Sequence, residues 1–202
     1  MNRESVDFDF FSSEPLNKDA LRSNLAFLKD SRLIQDSENA LGGITPTDVK
    51  FSFFGALSFG RFGDTELAVP FDVVVASLDD LLALKLKVIH QRAELKDYRG
   101  IAAILASGKP LERGMAIACA MFKDSFSPTI TAKALTYFED GDLAELSGEE
   151  KEILIRAATA MGDLPTVSMQ SPLLAEPVSL PMSGGMHEFH AKESKGPPSG
   201  ES

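Results

Sequence analysis

Tryptophan is absent from this 202-residue sequence, and cysteine occurs once, as Cys119. One cysteine cannot close an internal disulfide, so a reducing, cytoplasmic setting is expected. No hydrophobic segment follows a basic start at the N-terminus, so no secretory signal is expected. Long apolar runs are also lacking. None reaches the ~18 residues that would span a bilayer, and no membrane partner is expected. Positive charge is scarce: 20 Lys plus Arg stand against 30 Asp plus Glu, a formal net charge of -10. That balance excludes a broad nucleic-acid-coating surface, which needs cations to displace condensed counterions. It leaves room for a small basic cleft.

The residues present are those of a globular chain. Hydrophobic residues make up 44% and charged residues 25%, and with 14 Phe and no Trp the aromatic packing falls largely to phenylalanine. Cys119 sits inside the apolar run Met115 to Phe122, where a thiol acts as a small hydrophobe rather than a nucleophile.

Ser5 to Phe11 reads S-V-D-F-D-F-F, with Val6, Phe8 and Phe10 alternating with Asp7 and Asp9. Period two predicts a strand with one apolar and one acidic face. Leu21, Leu25, Leu28 and Leu33 predict a helix over Asp19 to Leu33, and Leu41-Gly42-Gly43-Ile44 reads as a turn. Val49 to Leu57 and Val73 to Ala76 read as strands. Ser77 is placed as an N-cap with Asp79 and Asp80 in the first turn of a helix Leu78 to Arg92. Further helices are predicted over Asp97 to Ala106, Leu111 to Phe122 (with Gly114 as a weak spot), Ile130 to Phe138 and Glu149 to Met161. Glu139-Asp140-Gly141-Asp142 reads as a solvated acidic turn, lacking the ligand pattern of a calcium loop. The Pro-, Ser- and Gly-rich segment from Val167 to Ser202 reads as a disordered tail. Its His187-Glu188-Phe189-His190 lacks the spacing of a zinc helix. The expectation is an α+β fold: a sheet core in residues 1–76, a helical half in 77–166 and a tail in 167–202.

Two features carry chemistry. Asp7 and Asp9 project from one strand face about 7 Å apart along the chain, so both can reach one hard cation such as Mg²⁺. The same pair equally reads as a solvated strand face, although Asp is a poor strand former and asks for a reason. The second feature is the basic stretch Lys85, Lys87, Arg92, Lys96 and Arg99. Lys85 and Arg92 lie two helical turns apart and share a face. A positive stripe beside paired carboxylates is what a triphosphate site requires; an exposed helix face with internal ion pairs would have the same composition. His90, in the same helix, reads as a surface or packing residue rather than a catalyst.

The segments R-x-S-V-D-F-D-F-F-S (Arg3 to Ser12), V-A-S-L-D-D-L-L-A-L-K-L-K-V-I-H-Q-R (Val75 to Arg92) and K-D-Y-R (Lys96 to Arg99) resemble the AbiEii/AbiGii toxin family of the polymerase-β-like nucleotidyltransferase superfamily. The similarity runs from Arg3 to about Met161. The resemblance implies a small mixed sheet of the nucleotidyltransferase type and Asp7 and Asp9 as Mg²⁺ ligands. It implies Lys85 as a catalytic, phosphate-contacting lysine, and Arg92 and Asp97 as substrate-binding residues. It further implies a nucleoside triphosphate as substrate, tRNA as an acceptor, a cognate antitoxin as partner, and a role in toxin–antitoxin or phage-defence systems. Three departures stand out. Six residues precede Asp7, where the family carries a Gly-Gly or Gly-Ser helix start, which implies a shortened or non-catalytic relative. Ser52 stands where a third acid is expected, and Gly100 follows Asp97 where the family often has a second Asp.

Overall fold

The computed structural model describes residues 7–68 and 73–174. Among these residues the fold is α+β, with six α-helices, a four-stranded mixed sheet and a separate two-stranded sheet. Ser5, Val6 and the His187–His190 stretch lie outside the described residues.

The main sheet runs in the order β1 (Asp7–Phe11), β4 (Lys50–Phe54), β3 (Ala40–Ile44), β2 (Arg32–Ser37). β1 is parallel to β4, and the other two pairings are antiparallel. Alternation along β4 buries Phe51 and Phe53. With Leu41 and Leu28 they form a small core, onto which Leu16, Leu21 and Leu25 pack. Phe10 stacks on Phe53 with ring centroids 4.8 Å apart. The phenylalanines of β1 nevertheless stay substantially exposed, Phe8 at 49%, because β1 is an edge strand with a neighbour on one side only.

The helix expected over Asp19 to Leu33 is shorter. α1 covers Lys18–Asn24, capped by the Asn17 side chain accepting from the Ala20 amide. A 3-10 turn over Ala26–Lys29 follows, and Leu33 belongs to β2. Nor is Leu41 to Ile44 a turn. It is the interior of β3, where glycine meets a packing requirement: a Cβ on Gly43 would lie 2.7 Å from Phe51 Cζ and 2.8 Å from the Arg32 carbonyl.

β5 (Glu66–Ala68) and β6 (Val73–Val75) pair antiparallel and lead into the helical half. This half comprises α2 (Leu78–Val88), α3 (Leu95–Ala106), α4 (Leu111–Phe122), α5 (Pro128–Ala134) and α6 (Gly148–Ala160). Its core includes Leu82, Leu86, Ile101, Met115, Ile117 and Leu154, all fully enclosed. Gly114 is a close-packing point rather than a weak spot, since a Cβ there would sit 2.6 Å from Leu82 Cγ and Cδ2. It lets α4 lie against α2.

Two buried aspartates fix α2. Asp80 accepts from the amides of Phe62 (2.9 Å) and Gly63 (3.0 Å) and from the Ser77 hydroxyl (2.8 Å), while Ser77 Oγ accepts from the Asp80 amide. Asp79 pairs with Arg113 at 2.8 Å and Lys109 at 3.2 Å, clamping α2 to the start of α4. Burial pushes the Asp79 pKa up, but the hydrogen bonds and charges of Arg113 and Lys109 outweigh it, and the net shift is downward.

The boundary drawn at Val167 is corrected. Residues 167–174 are ordered against the body. Val167 packs on the helical core. Arg61 and Ser171 form a backbone bridge, with the Arg61 amide donating to the Ser171 carbonyl at 2.9 Å. The Leu174 amide donates to Ser13 Oγ at 3.0 Å. The remainder of the expected tail, 175–202, lies outside the described residues. Among the described residues no helix is long and apolar enough to cross a membrane.

Candidate functional site: a carboxylate strand facing the first turn of α3

Pleating places Asp7 and Asp9 on the side of β1 opposite Phe8 and Phe10. Across the parallel pairing Asp9 sits beside Ser52, and Ser52 in turn sits opposite Gly42 of β3. Ser52 therefore shares the acidic face at the point where a third carboxylate was sought, and offers a hydroxyl there. Asp9 is exposed and Asp7 half-buried.

The helix facing this strand is α3. Its N-cap, Glu94, makes no side-chain capping bond. The cap comes from the acidic turn instead, where Asp142 Oδ1 accepts from the Leu95 amide at 2.8 Å. That turn requires Gly141 (φ 56°), whose Cβ would lie 2.7 Å from the Ala93 carbonyl. The expected solvated turn thus has a structural duty at the start of α3.

Two consecutive residues of the first turn of α3 then point to different partners. Lys96 Nζ lies 3.1 Å from Asp7 Oδ2 and 3.6 Å from Glu94 Oε2. Burial lowers the Lys96 pKa, but the hydrogen bond and charge of Asp7, aided by Glu94 and opposed by Arg92, raise it overall. Asp97, only 4% exposed, accepts from Lys85 Nζ at 3.3 Å and pairs with Arg92 at 3.1 Å. Arg92 also reaches Glu94 at 3.3 Å.

The residues singled out from sequence thus fall into two connected groups. Lys85, Arg92 and Asp97 come together in one ion-pair cluster. Asp7 and Asp9 stand on the strand, and Asp7 pairs with Lys96, while Lys85 pairs with Asp97. Lys96 was visible in the basic stretch, but its role was not. The available signal was its place directly before Asp97 in K-D-Y-R. The departure at Gly100 also has a physical reason: a Cβ there would lie 2.7 Å from Lys85 Cε. Glycine makes the channel along which the Lys85 stem reaches Asp97.

His90 lies just beyond α2, not within it. It stacks on Phe126 with ring centroids 5.0 Å apart and hydrogen-bonds Thr131, so of the surface and packing readings it takes the packing one. Burial, then the Lys87 charge, pushes its pKa down against a smaller opposing contribution from the Ser127 backbone. Cys119 is half-buried, and burial pushes its thiol pKa up, away from thiolate reactivity. A cleft of about 640 Å³ opens between the α3–α4 junction and α6. None of the carboxylate-site residues lines it.

For a metal, the acidic face presents the hard oxygens of Asp7 and Asp9 with the Ser52 hydroxyl alongside. This donor chemistry suits Mg²⁺ with open positions left for phosphate oxygens. Among the described residues no group of three or more His, Cys, Asp or Glu is placed to hold a metal. Comparisons with protein-family models, curated proteins and solved structures gave no match.

Proposed function

We propose that this chain is a nucleotidyltransferase-type protein that moves a nucleotide from a nucleoside triphosphate to an acceptor with the help of Mg²⁺. One observation carries the reading: Asp7, from the acidic face of β1, meets the first turn of α3 through Lys96, and the next residue, Asp97, gathers Lys85 and Arg92. A carboxylate for a hard cation and side chains for a polyphosphate meet at one helical turn. Asp7 and Asp9 are the residues to hold Mg²⁺. Bound there, the ion would neutralise charge on the phosphate oxygens. Lys85 and Arg92 would serve as phosphate-binding cations, with Asp97 orienting both so that little ordering is required when substrate arrives. The finer parts of the reading rest on the sequence resemblance: the nucleotidyltransferase-type sheet, tRNA as acceptor, a cognate antitoxin as partner, and a cytoplasmic toxin of a toxin–antitoxin or phage-defence system.

The test is transfer of labelled nucleotide from each of the four ribonucleoside triphosphates to tRNA and protein acceptors with Mg²⁺. Transfer by the natural chain that disappears in Asp7→Ala supports the proposal; transfer that persists in that variant means the site is elsewhere.

A second reading is favoured by Ser52 in place of a third acid and by the existing Lys96–Asp7 pair. In this reading the same face binds a nucleotide or a partner without turnover. Calorimetry separates the two: Mg²⁺-dependent binding of nucleoside triphosphate with no transfer to any acceptor supports the second and removes the first.

A further inference from the structure

The side of the main sheet that turns away from Asp9 has a small cavity of its own. The pairing register puts Asp9, Ser52 and Gly42 on one side and Phe10, Phe53 and Leu41 on the other. α1 and the 3-10 turn Ala26–Lys29 supply the cover on that second side, with Leu21, Leu25 and Leu28 packed on Leu41, Phe51 and Phe53. The edge strand β2 stays exposed along its length. There a slot of about 230 Å³ opens, lined by Arg22, Leu28, Lys29, Leu33 and Leu41. A bulge lies at its rim, where the pairing of β2 with β3 shifts between Leu33 and Gln35. Such bulges bend a strand and re-aim its side chains.

The lining divides by chemistry. Leu28 and Leu41 are buried and form an apolar floor, while Leu33 at the mouth is 41% exposed. Both charged lining residues are cations, in a chain of net charge -10. Among the described residues the Lys29 ammonium has no ion-pair partner. Arg22 donates to Asp36 at 2.8 Å, but Lys18 holds the other oxygen of that carboxylate. Asp36 therefore stays paired when Arg22 turns to a ligand. Asp19, 4.0 Å from Arg22, is fully exposed and screened by water.

We infer that this slot binds a small amphiphilic anion: a carboxylate on a short aliphatic chain, with the chain against Leu28, Leu33 and Leu41 and the carboxylate at Lys29 and Arg22. A guanidinium beside an ammonium suits a carboxylate, which it can hold through two parallel N–H bonds. The volume is below that of pockets for drug-sized molecules, which limits the ligand to about six to eight carbons. The site is separate from the proposed nucleotide site, since the two share no residue, and neither stands or falls with the other.

The experiment titrates hexanoate, hexan-1-ol and hexylammonium into the full chain and follows the leucine methyl signals by NMR. The same titrations are made on Lys29→Gln and Leu33→Asn, with thermal melting to check that each is folded. Hexanoate should saturate at about millimolar concentration and shift the methyls of Leu28, Leu33 and Leu41. Lys29→Gln should weaken it roughly two- to fivefold, the order expected for one exposed charge, and raised salt should weaken it in the natural chain. Leu33→Asn should weaken hexanoate and hexan-1-ol alike. Hexylammonium should not saturate. If hexan-1-ol binds as tightly as hexanoate, or if Lys29→Gln binds hexanoate as the natural chain does, the assignment of an anion site is wrong. If hexanoate fails to saturate, or shifts only leucines elsewhere, the slot is not a ligand site.

Discussion

Lys96 and Asp97 are neighbours in the first turn of α3, yet they pair with opposite charges on different parts of the fold. Lys96 takes Asp7 from the edge strand at 3.1 Å, whereas Asp97 takes Lys85 and Arg92 from the α2 region at 3.3 Å and 3.1 Å. A single helical turn therefore joins the sheet to the helical half through charge.

Replacement of Asp97 by Ala should destabilise the protein by about 2 kcal/mol in a urea titration. The carboxylate is buried, and its loss strands two cations. The cost stays below that of a fully buried pair because Arg92 remains nearly half-exposed and can rehydrate. Double-mutant cycles of Asp97→Ala with Lys85→Ala and with Arg92→Ala should return a larger coupling energy for Lys85, the more enclosed partner.

Gly114→Ala provides a test of sign. In an exposed helix interior the change would stabilise by about 1 kcal/mol. In α4 the added methyl would meet Leu82 at 2.6 Å, so a net loss of about 1–3 kcal/mol is expected. Thermal melting that shows equal or greater stability would mean α2 and α4 are not so closely packed.

Asp80→Ala should cost about 3 kcal/mol in chemical denaturation, since it leaves the buried amides of Phe62 and Gly63 without their acceptor. Ser77→Ala removes the cap and one bond to Asp80 while leaving both amides satisfied, and should cost about 1 kcal/mol. The ordering of the two losses matters more than either value.

Three of the groups with shifted pKa values make distinct contributions to the pH dependence of stability. The folded-state pKa of His90 lies below its ordinary 6.5. Its contribution is thus complete above pH 6.5 and lost as pH falls through the lower folded value. Asp79, lowered from 3.8, contributes fully above that value and loses it in more acid solution. Lys96 is raised from 10.5, so its contribution is complete below 10.5 and fades as pH rises past the folded value. Denaturation midpoints measured from pH 7 down to pH 5 should fall in the natural chain and flatten in His90→Gln.

The helical half was largely legible. α4 covers the expected Leu111 to Phe122 around the apolar run from Met115, and α6 falls within one residue of the expected Glu149 to Met161 at each end. The sheet was not. β2 is exposed along its whole length, so burial imposes no alternation on R-L-I-Q-D-S. β3 contains two glycines that local preference assigns to turns but that Phe51 requires. Asp7 and Asp9 were placed correctly on one strand by their period, and Lys85, Arg92 and Asp97 converge in space. What spacing alone did not reveal was that Lys96 meets Asp7, because it reaches it across 89 residues. The ordering of 167–174 left no trace in composition either, since its anchors at Arg61 are a backbone bridge and a single side-chain bond from Arg61 to Gln170.

That last segment has a consequence for the order in which the molecule is assembled. The bond from the Leu174 amide to Ser13 joins positions 161 residues apart, and the bridge to Arg61 spans more than half the described chain. Contacts so distant in sequence are slow to find. During synthesis α1 and the hairpins can form as they emerge, but the loop around Arg61 must wait for nearly all the described residues before its final partner arrives. Folding of this protein should close with a late step in which 167–174 docks and draws the early-made sheet and the later-made helices together.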